Sequence, residues 1–141
     1  MATTTGSVLG TLDLVGKPES VHEARHFVRR LLGDGFPRLD DIALLTSELV
    51  TNSIRHSRSG NGGQITVAVA EGPGFIHVDV IDEGSEEDKW PCVSPDPFGE
   101  GGRGLVLVAA MARAWSYADD EAGRVVWFVM DLTANAEGRA G

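Results

Sequence analysis

Residues 47–56 read Ser-Glu-Leu-Val-Thr-Asn-Ser-Ile-Arg-His, and they carry polar side chains beside a face that a helix would bury. Apolar spacing predicts a helix from about Leu39 to His56. Its core-facing stripe consists of three aliphatic side chains, Ile42, Leu45 and Leu49. Glu48, Asn52 and His56 recur at every fourth residue, so they form a row along the edge of that stripe. Burying a carboxylate and an amide there costs free energy unless they have partners.

Two interpretations of this row are open from spacing alone. In the structural one, Glu48 and Asn52 cap neighbouring backbone groups at the rim of a sheet. In the functional one, they point into a cleft between helix and sheet. Both side chains offer oxygen atoms, which suit Mg²⁺ and phosphate chemistry.

Length and composition restrict the class of protein. A chain of 141 residues is expected to form one domain, residues 1–141, with ends at 1–7 and 134–141 that we expect to be flexible. The net charge of −9 disfavours direct nucleic-acid binding. One cysteine excludes an internal disulfide framework. Neither a membrane span nor a signal peptide is visible, so a cytoplasmic protein with a protein partner or small ligand is expected.

The remaining elements follow from apolar patterns and turn residues. Alternation predicts a weak first strand at Val8–Val15, and Pro18 opens a helix near 18–33. Two β-branched runs joined at Gly72-Pro73-Gly74 form a predicted hairpin, Gln64–Glu71 with Phe75–Asp82. After a loop at 83–102, we predict a helix at Arg103–Arg113 and strands at Ala114–Tyr117 and Val125–Leu132. This order favours an α/β (α+β) two-layer sandwich, with a mixed, mostly antiparallel sheet and helices on one face.

Two further features are each weak alone. Asp82-Glu83-Gly84 follows an apolar strand directly, so a carboxylate stands at the sheet edge where glycine allows a sharp turn. Such Asp-x-Gly turns also occur with no function. Residues 99–104, Gly-Glu-Gly-Gly-Arg-Gly, open a predicted helix. A glycine-rich loop at a helix start can bind an anion through backbone N–H groups.

Together, in this order, the three features resemble the Bergerat-type ATP-binding domain shared by gyrase, heat-shock chaperone, mismatch-repair and histidine kinase ATPases. Residues 47–56 look like the N-box of the anti-sigma-factor serine/threonine kinases, especially the stand-alone actinobacterial ones. The segment 101–105 and the closing strand around 126–128 fit the same family. The resemblance covers about residues 18–132. No phosphoacceptor helix precedes it, so we expect no complete histidine kinase.

The resemblance implies a role for each matching residue of the helix. Glu48 matches the proposed general base, which takes the proton from an attacking hydroxyl while the γ-phosphoryl group is transferred. Asn52 matches the family's Mg²⁺ ligand. ATP and Mg²⁺ are therefore the expected ligands. The expected function is that of a transcription regulator, an anti-sigma factor that sequesters a sigma factor and phosphorylates a serine of a small antagonist protein.

The resemblance also implies roles near the nucleobase and phosphates. Asp82 matches the carboxylate that accepts a hydrogen bond from the adenine amino group, and Gly84 lets the backbone pass close to the base. Residues 85–101 match the ATP lid. The remaining matches lie at the phosphates, where close approach or positive charge is needed: Gly102, Arg103 and Gly104. Related proteins often form dimers, so a homodimer is expected as well.

Two departures from the family pattern keep other functions open. Relatives often carry a threonine on the last strand that supports the adenine site, whereas the chain has no hydroxyl around Val125. Five carboxylates also lie close together at positions 82, 83, 86, 87 and 88. The alternative from another class is a non-catalytic, nucleotide-responsive module that binds a protein partner. A third interpretation is an ATPase with no protein acceptor.

Overall fold

The computed structural model of the chain describes residues 7–56, 62–84, 103–120 and 123–132. Within these ranges it contains five strands and three helices. In chain order they are β1 (Ser7–Val15), α1 (Ser20–Leu32), α2 (Leu39–His56), β2 (Gln64–Gly72), β3 (Phe75–Asp82), α3 (Arg103–Met111), β4 (Ala114–Asp120) and β5 (Gly123–Asp131). The predicted lid at 85–101 and Gly102 lie outside the described residues.

The five strands form one sheet in the order β1-β2-β3-β5-β4. Every pair of neighbouring strands in it is antiparallel. The sequence predicted a mixed, mostly antiparallel sheet, and in the structure α3 links β3 to β4. These two strands do run in the same direction, but β5 lies between them and pairs with both. The described sheet therefore has no parallel pair.

The core lies between one face of the sheet and the three helices. On the central strands, buried residues alternate with more exposed ones, which shows that one face is covered. The covering side chains of α2 are those of the predicted stripe, and each is at most 1% exposed: Ile42, Leu45 and Leu49. Helix α2 packs between α1 and α3 and also contacts β3. The α/β sandwich expected from the sequence is confirmed.

Element boundaries agree well with the sequence pattern, with small shifts at the ends. Helix α2 and strand β3 have the predicted bounds. Helix α3 ends at Met111 rather than Arg113, and β4 continues to Asp120 rather than ending at Tyr117. Helix α1 ends where Gly33 takes a positive φ of 88° and donates its N–H to the Arg29 carbonyl. No helix in the described part of the chain is long and apolar enough to cross a membrane.

Candidate functional site

Asp82 is a buried carboxylate at the end of β3, and its two oxygen atoms accept hydrogen bonds from two different elements. The Ser53 hydroxyl of α2 donates to Oδ2 at 2.6 Å. The backbone N–H of Gly84 donates to Oδ1 at 2.7 Å. The side chain is only 4% exposed. Helix α2 and the turn after β3 therefore hold the carboxylate from two sides.

Strand alternation explains why this carboxylate is buried. Ile76, Val78 and Val80 face the core, and Asp82 is the next residue on the same side of β3. Gly84 has a positive φ of 80°, a conformation that glycine adopts without strain. The chain can therefore turn immediately after the strand and bring the Gly84 N–H back to Asp82.

Two charged residues that influence Asp82 lie on β5 and β4. Arg124 of β5 is paired opposite Asp82, and on its other side it is paired opposite Asp119 of β4. Burial raises the pKa of Asp82 above its ordinary value of 3.8. The hydrogen bonds from Ser53 and Gly84 and the charge of Arg124 oppose that rise, while the charge of Asp119 adds to it.

The polar row lies on the same helix as the partner of this carboxylate. Ser53 joins α2 to the end of β3, Asn52 precedes Ser53 in the helix, and Glu48 lies about 6 Å before Asn52 along the axis. Asn52 is 9% exposed and Glu48 is half-buried. Within the described ranges, the Asn52 amide has no hydrogen-bond partner. The side chain of His56, the last member of the row, is not described.

The donor set of this row fits Mg²⁺ better than a metal held by protein alone. No group of three or more His, Cys, Asp or Glu side chains that could hold a metal occurs among the described residues. Mg²⁺ keeps several waters and commonly takes one or two protein oxygens plus phosphate oxygens. The Asn52 side chain is 9% exposed, and its amide oxygen can serve as such a ligand.

Glu83, which follows Asp82 in the acidic run, is directed away from the α2 row. Its Oε2 accepts a hydrogen bond from the backbone N–H of Gln64 at 2.9 Å, at the start of β2. Its carboxylate also lies so close to Gly63 that a Cβ there would approach it to 2.7 Å. One of the five clustered carboxylates thus supports the β2 edge. Residues 86–88 lie outside the described ranges.

The glycine-rich stretch does open a helix, as the sequence predicts, and α3 begins at Arg103. Gly104 lies in the first turn, where backbone N–H groups have no partner within the helix. Helix α3 packs against α2. The structure describes no side chain for Arg103, so its predicted contact with phosphate stays a prediction, as do those of Gly102 and Gly104.

Comparison with protein families is consistent with this arrangement. The family model described as "Histidine kinase-like ATPase domain" matches residues 14–130. The chain belongs to the histidine kinase-like ATPase domain family. Its fold is similar to a crystal structure of the RsbU and RsbW domains of Rv1364c from Mycobacterium tuberculosis, with a TM-score of 0.63 and 20% identity. That match covers 87% of this chain and 32% of the other, so this chain spans about a third of its length. No curated protein matches the sequence.

Two residues of this histidine kinase-like ATPase domain contact or face Asp82 without having been assigned a role from sequence. They are Ser53 and Arg124. Ser53 follows Leu45 and Leu49 at intervals of four, so it continues the buried stripe of α2. A hydroxyl in a core stripe requires a partner, and this was the available signal. Arg124 gave no comparable signal, because its burial depends on the pairing of β5 with both β3 and β4.

An open groove of about 560 Å³ lies elsewhere on the domain, at the start of α2. Its charged side chains pair with each other, with Arg29 and Asp40 at 2.9 Å and Arg38 and Asp41 at 3.2 Å. Asp41, the groove residue on α2 nearest to Asn52 in sequence, lies about 16 Å from it along the helix axis. None of the groove residues is among the candidate site residues Glu48, Asn52 and Asp82.

Proposed function

We propose that this chain is a Mg-ATP-binding regulatory protein that acts as an anti-sigma factor and phosphorylates a serine or threonine of an antagonist protein. The observation that carries the proposal is the buried Asp82, held by the Ser53 hydroxyl and the Gly84 N–H, with Ser53 on the helix that also carries Glu48 and Asn52. A buried carboxylate fixed by two donors is suited to accept a hydrogen bond from a polar group at the edge of a ligand. A nearby carboxylate and amide are suited to phosphate chemistry.

At the nucleobase end, Asp82 accepts a hydrogen bond from the 6-amino group of adenine. Two donors already occupy one acceptor position on each oxygen, and a carboxylate has about four such positions. Guanine presents a carbonyl oxygen at the equivalent position, which would face the carboxylate as a second acceptor. Asp82 therefore selects adenine, and Gly84 allows the turn to pass close to the base.

At the phosphate end, Glu48 accepts the proton of the attacking serine or threonine hydroxyl. That oxygen bonds to the γ-phosphorus as the bond to the β–γ bridging oxygen breaks, and ADP leaves. Asn52 would hold Mg²⁺, which offsets phosphate charge when bound. Gly102, Arg103 and Gly104 are assigned to the phosphates, and residues 85–101 to a lid over the nucleotide.

The regulatory part of the proposal comes from resemblance. Residues 47–56 look like the N-box of anti-sigma-factor kinases, and the similar crystal structure contains a domain named RsbW. By this analogy the partners are a sigma factor and an antagonist protein that carries the acceptor hydroxyl. A cytoplasmic location and a homodimer belong to the same proposal.

Calorimetric titration of Mg-ATP into the protein tests the nucleotide site directly. We expect ATP binding that GTP does not reproduce and that Asp82→Asn weakens. Asp79→Asn is the matched control, because Asp79 lies on the same strand but on the opposite face from Asp82. Absence of ATP binding at millimolar concentration would overturn the proposal and favour the non-catalytic protein-binding module.

A second measurement concerns activity. Transfer of the γ-phosphate from ATP to a serine of an antagonist protein distinguishes a kinase from a module that only binds nucleotide. Release of phosphate into water without transfer to any protein would favour an ATPase that lacks a protein acceptor.

A further inference from the structure

We infer that Ser53 is a positioning residue for nucleobase selection: its hydroxyl orients the Asp82 carboxylate toward the 6-amino group of adenine. The inference rests on the proposed function and adds a residue to which the family resemblance gives no role. Ser53 differs from Glu48 and Asn52 in that it acts on the base end of the nucleotide, through Asp82, and not on the phosphates.

The hydrogen bond that supports this inference is short and buried. The Ser53 Oγ lies 2.6 Å from Asp82 Oδ2, within the range of a strong hydroxyl–carboxylate hydrogen bond. Ser53 is 1% exposed and Asp82 is 4% exposed, so little water competes for either group. The helix fixes the backbone of Ser53 and the sheet fixes that of Asp82. The hydrogen bond therefore joins two rigid elements.

Two donors are needed to fix the carboxylate plane. The last torsion of an aspartate side chain has a broad energy minimum, so a single hydrogen bond leaves the plane free to rotate. The Gly84 N–H fixes Oδ1, and the Ser53 hydroxyl fixes Oδ2 from the other side. Loss of the hydroxyl would leave Oδ2 without its hydrogen bond from α2.

The last strand offers Asp82 no hydroxyl in place of Ser53. Val125, near the position where relatives carry threonine, pairs with Ile81 and not with Asp82. The residue opposite Asp82 is Arg124, whose charge stabilises the carboxylate. The hydroxyl that supports the adenine carboxylate thus comes from α2 in this chain.

The test compares the affinities of Ser53→Ala and the wild type for ATP and for purine riboside triphosphate. The second nucleotide has hydrogen in place of the 6-amino group. We expect Ser53→Ala to lower the preference for ATP by roughly tenfold, the scale of a hydrogen bond to a charged group. Binding of purine riboside triphosphate should stay unchanged. A purely structural role would weaken both nucleotides equally.

Two further variants make the result decisive. Ser47→Ala is the matched control, because the Ser47 hydroxyl is also buried on α2 but donates to the Leu44 carbonyl of the same helix. It should keep the full preference. Ser53→Cys retains a side chain of similar size with a much weaker donor, and it should lower the preference even if the alanine variant does not fold.

The outcomes separate this inference from the proposed function. A wild-type protein that binds neither nucleotide contradicts the proposed function itself. A wild type that prefers ATP, with the preference unchanged in both Ser53→Ala and Ser53→Cys, overturns the role of Ser53 and leaves the proposed function standing. A selective loss of the preference in the Ser53 variants supports the inference.

Discussion

Arg124 lies directly opposite Asp82 where β5 pairs with β3, and it is only 2% exposed. An ionised carboxylate at this depth would be costly without nearby compensation. The guanidinium charge and the two hydrogen bonds supply it, yet burial remains the largest influence on the pKa of Asp82. The site therefore holds a carboxylate whose ionised form costs stability, and this has measurable consequences.

The first consequence is a pH-dependent stability difference between Asp82→Asn and the wild type. Below the ordinary pKa of 3.8, Asp82 is protonated whether the chain is folded or unfolded. As pH rises, the unfolded chain ionises first because the folded-state pKa is raised, so the wild type loses stability that the asparagine variant keeps. The advantage of Asp82→Asn in free energy of unfolding should grow with pH and then become constant.

Urea unfolding of both proteins between about pH 4 and about pH 8 measures this difference. Asp79→Asn serves again as the control, because Asp79 is a partly exposed aspartate on the opposite face of the same strand. A difference in free energy of unfolding that stays constant over the whole pH range would show that burial is not the main influence on the pKa of Asp82.

The second prediction concerns Gly123, which begins β5 beside Asp82. A Cβ at this position would lie 2.0 Å from the Asp82 carbonyl oxygen, and φ is +147°. Because the obstructing atom is backbone, Gly123→Ala must displace the end of β3. We expect a loss of about 1–3 kcal/mol in free energy of unfolding and weaker ATP binding.

Gly35→Ala separates the cost of a positive φ from the cost of the close approach to Asp82. Gly35 also has a positive φ, +90°, but a Cβ there would meet nothing within 4 Å. Chemical denaturation should therefore show only the backbone cost of about 1 kcal/mol, with ATP affinity intact. Equal effects of the two substitutions would mean that the close approach to Asp82 carries no energy.

The third prediction contrasts two buried neighbours on α2. Leu49→Ala empties a core position that is 1% exposed and should cost about 2–5 kcal/mol. Asn52→Ala should lower the free energy of unfolding by less than about 1 kcal/mol, because the amide has no hydrogen-bond partner among the described residues. ATP titrations with and without Mg²⁺ should show a different effect. In the presence of Mg²⁺, Asn52→Ala should lower the affinity for ATP by at least about tenfold, because the contribution of the metal is lost. A large loss of stability in Asn52→Ala would assign the amide a structural role instead.

The local elements of this fold could be predicted from sequence because their signals are local. The apolar stripe and the polar row of α2 lie within one continuous segment, and so does each of the two β-branched runs of the hairpin. Helix α2 and strand β3 accordingly have their predicted bounds. Asp82 could be singled out as a candidate for the same reason, since it is the last residue of an apolar strand.

The interactions that complete the site are long-range and could not be predicted in this way. Strand β5 enters the sheet between β3 and β4, and no spacing within a segment specifies that order. Burial of Arg124 and its position opposite Asp82 follow from it. The contact of Ser53 with Asp82 spans 29 residues of sequence, and only the burial of both groups makes it necessary.

The last prediction assigns chemistry to Glu48 and separates it from binding. Glu48→Gln keeps the size of the side chain but removes its ability to accept a proton, so phosphoryl transfer should fall by about 10²–10⁴-fold. ATP affinity should change little, because Asp82 and Asn52 are untouched. Radiolabel transfer from γ-labelled ATP to an antagonist serine measures the rate, and calorimetry measures the binding. Unchanged transfer in Glu48→Gln would exclude Glu48 as the base, whereas loss of both transfer and binding would assign it to holding the nucleotide.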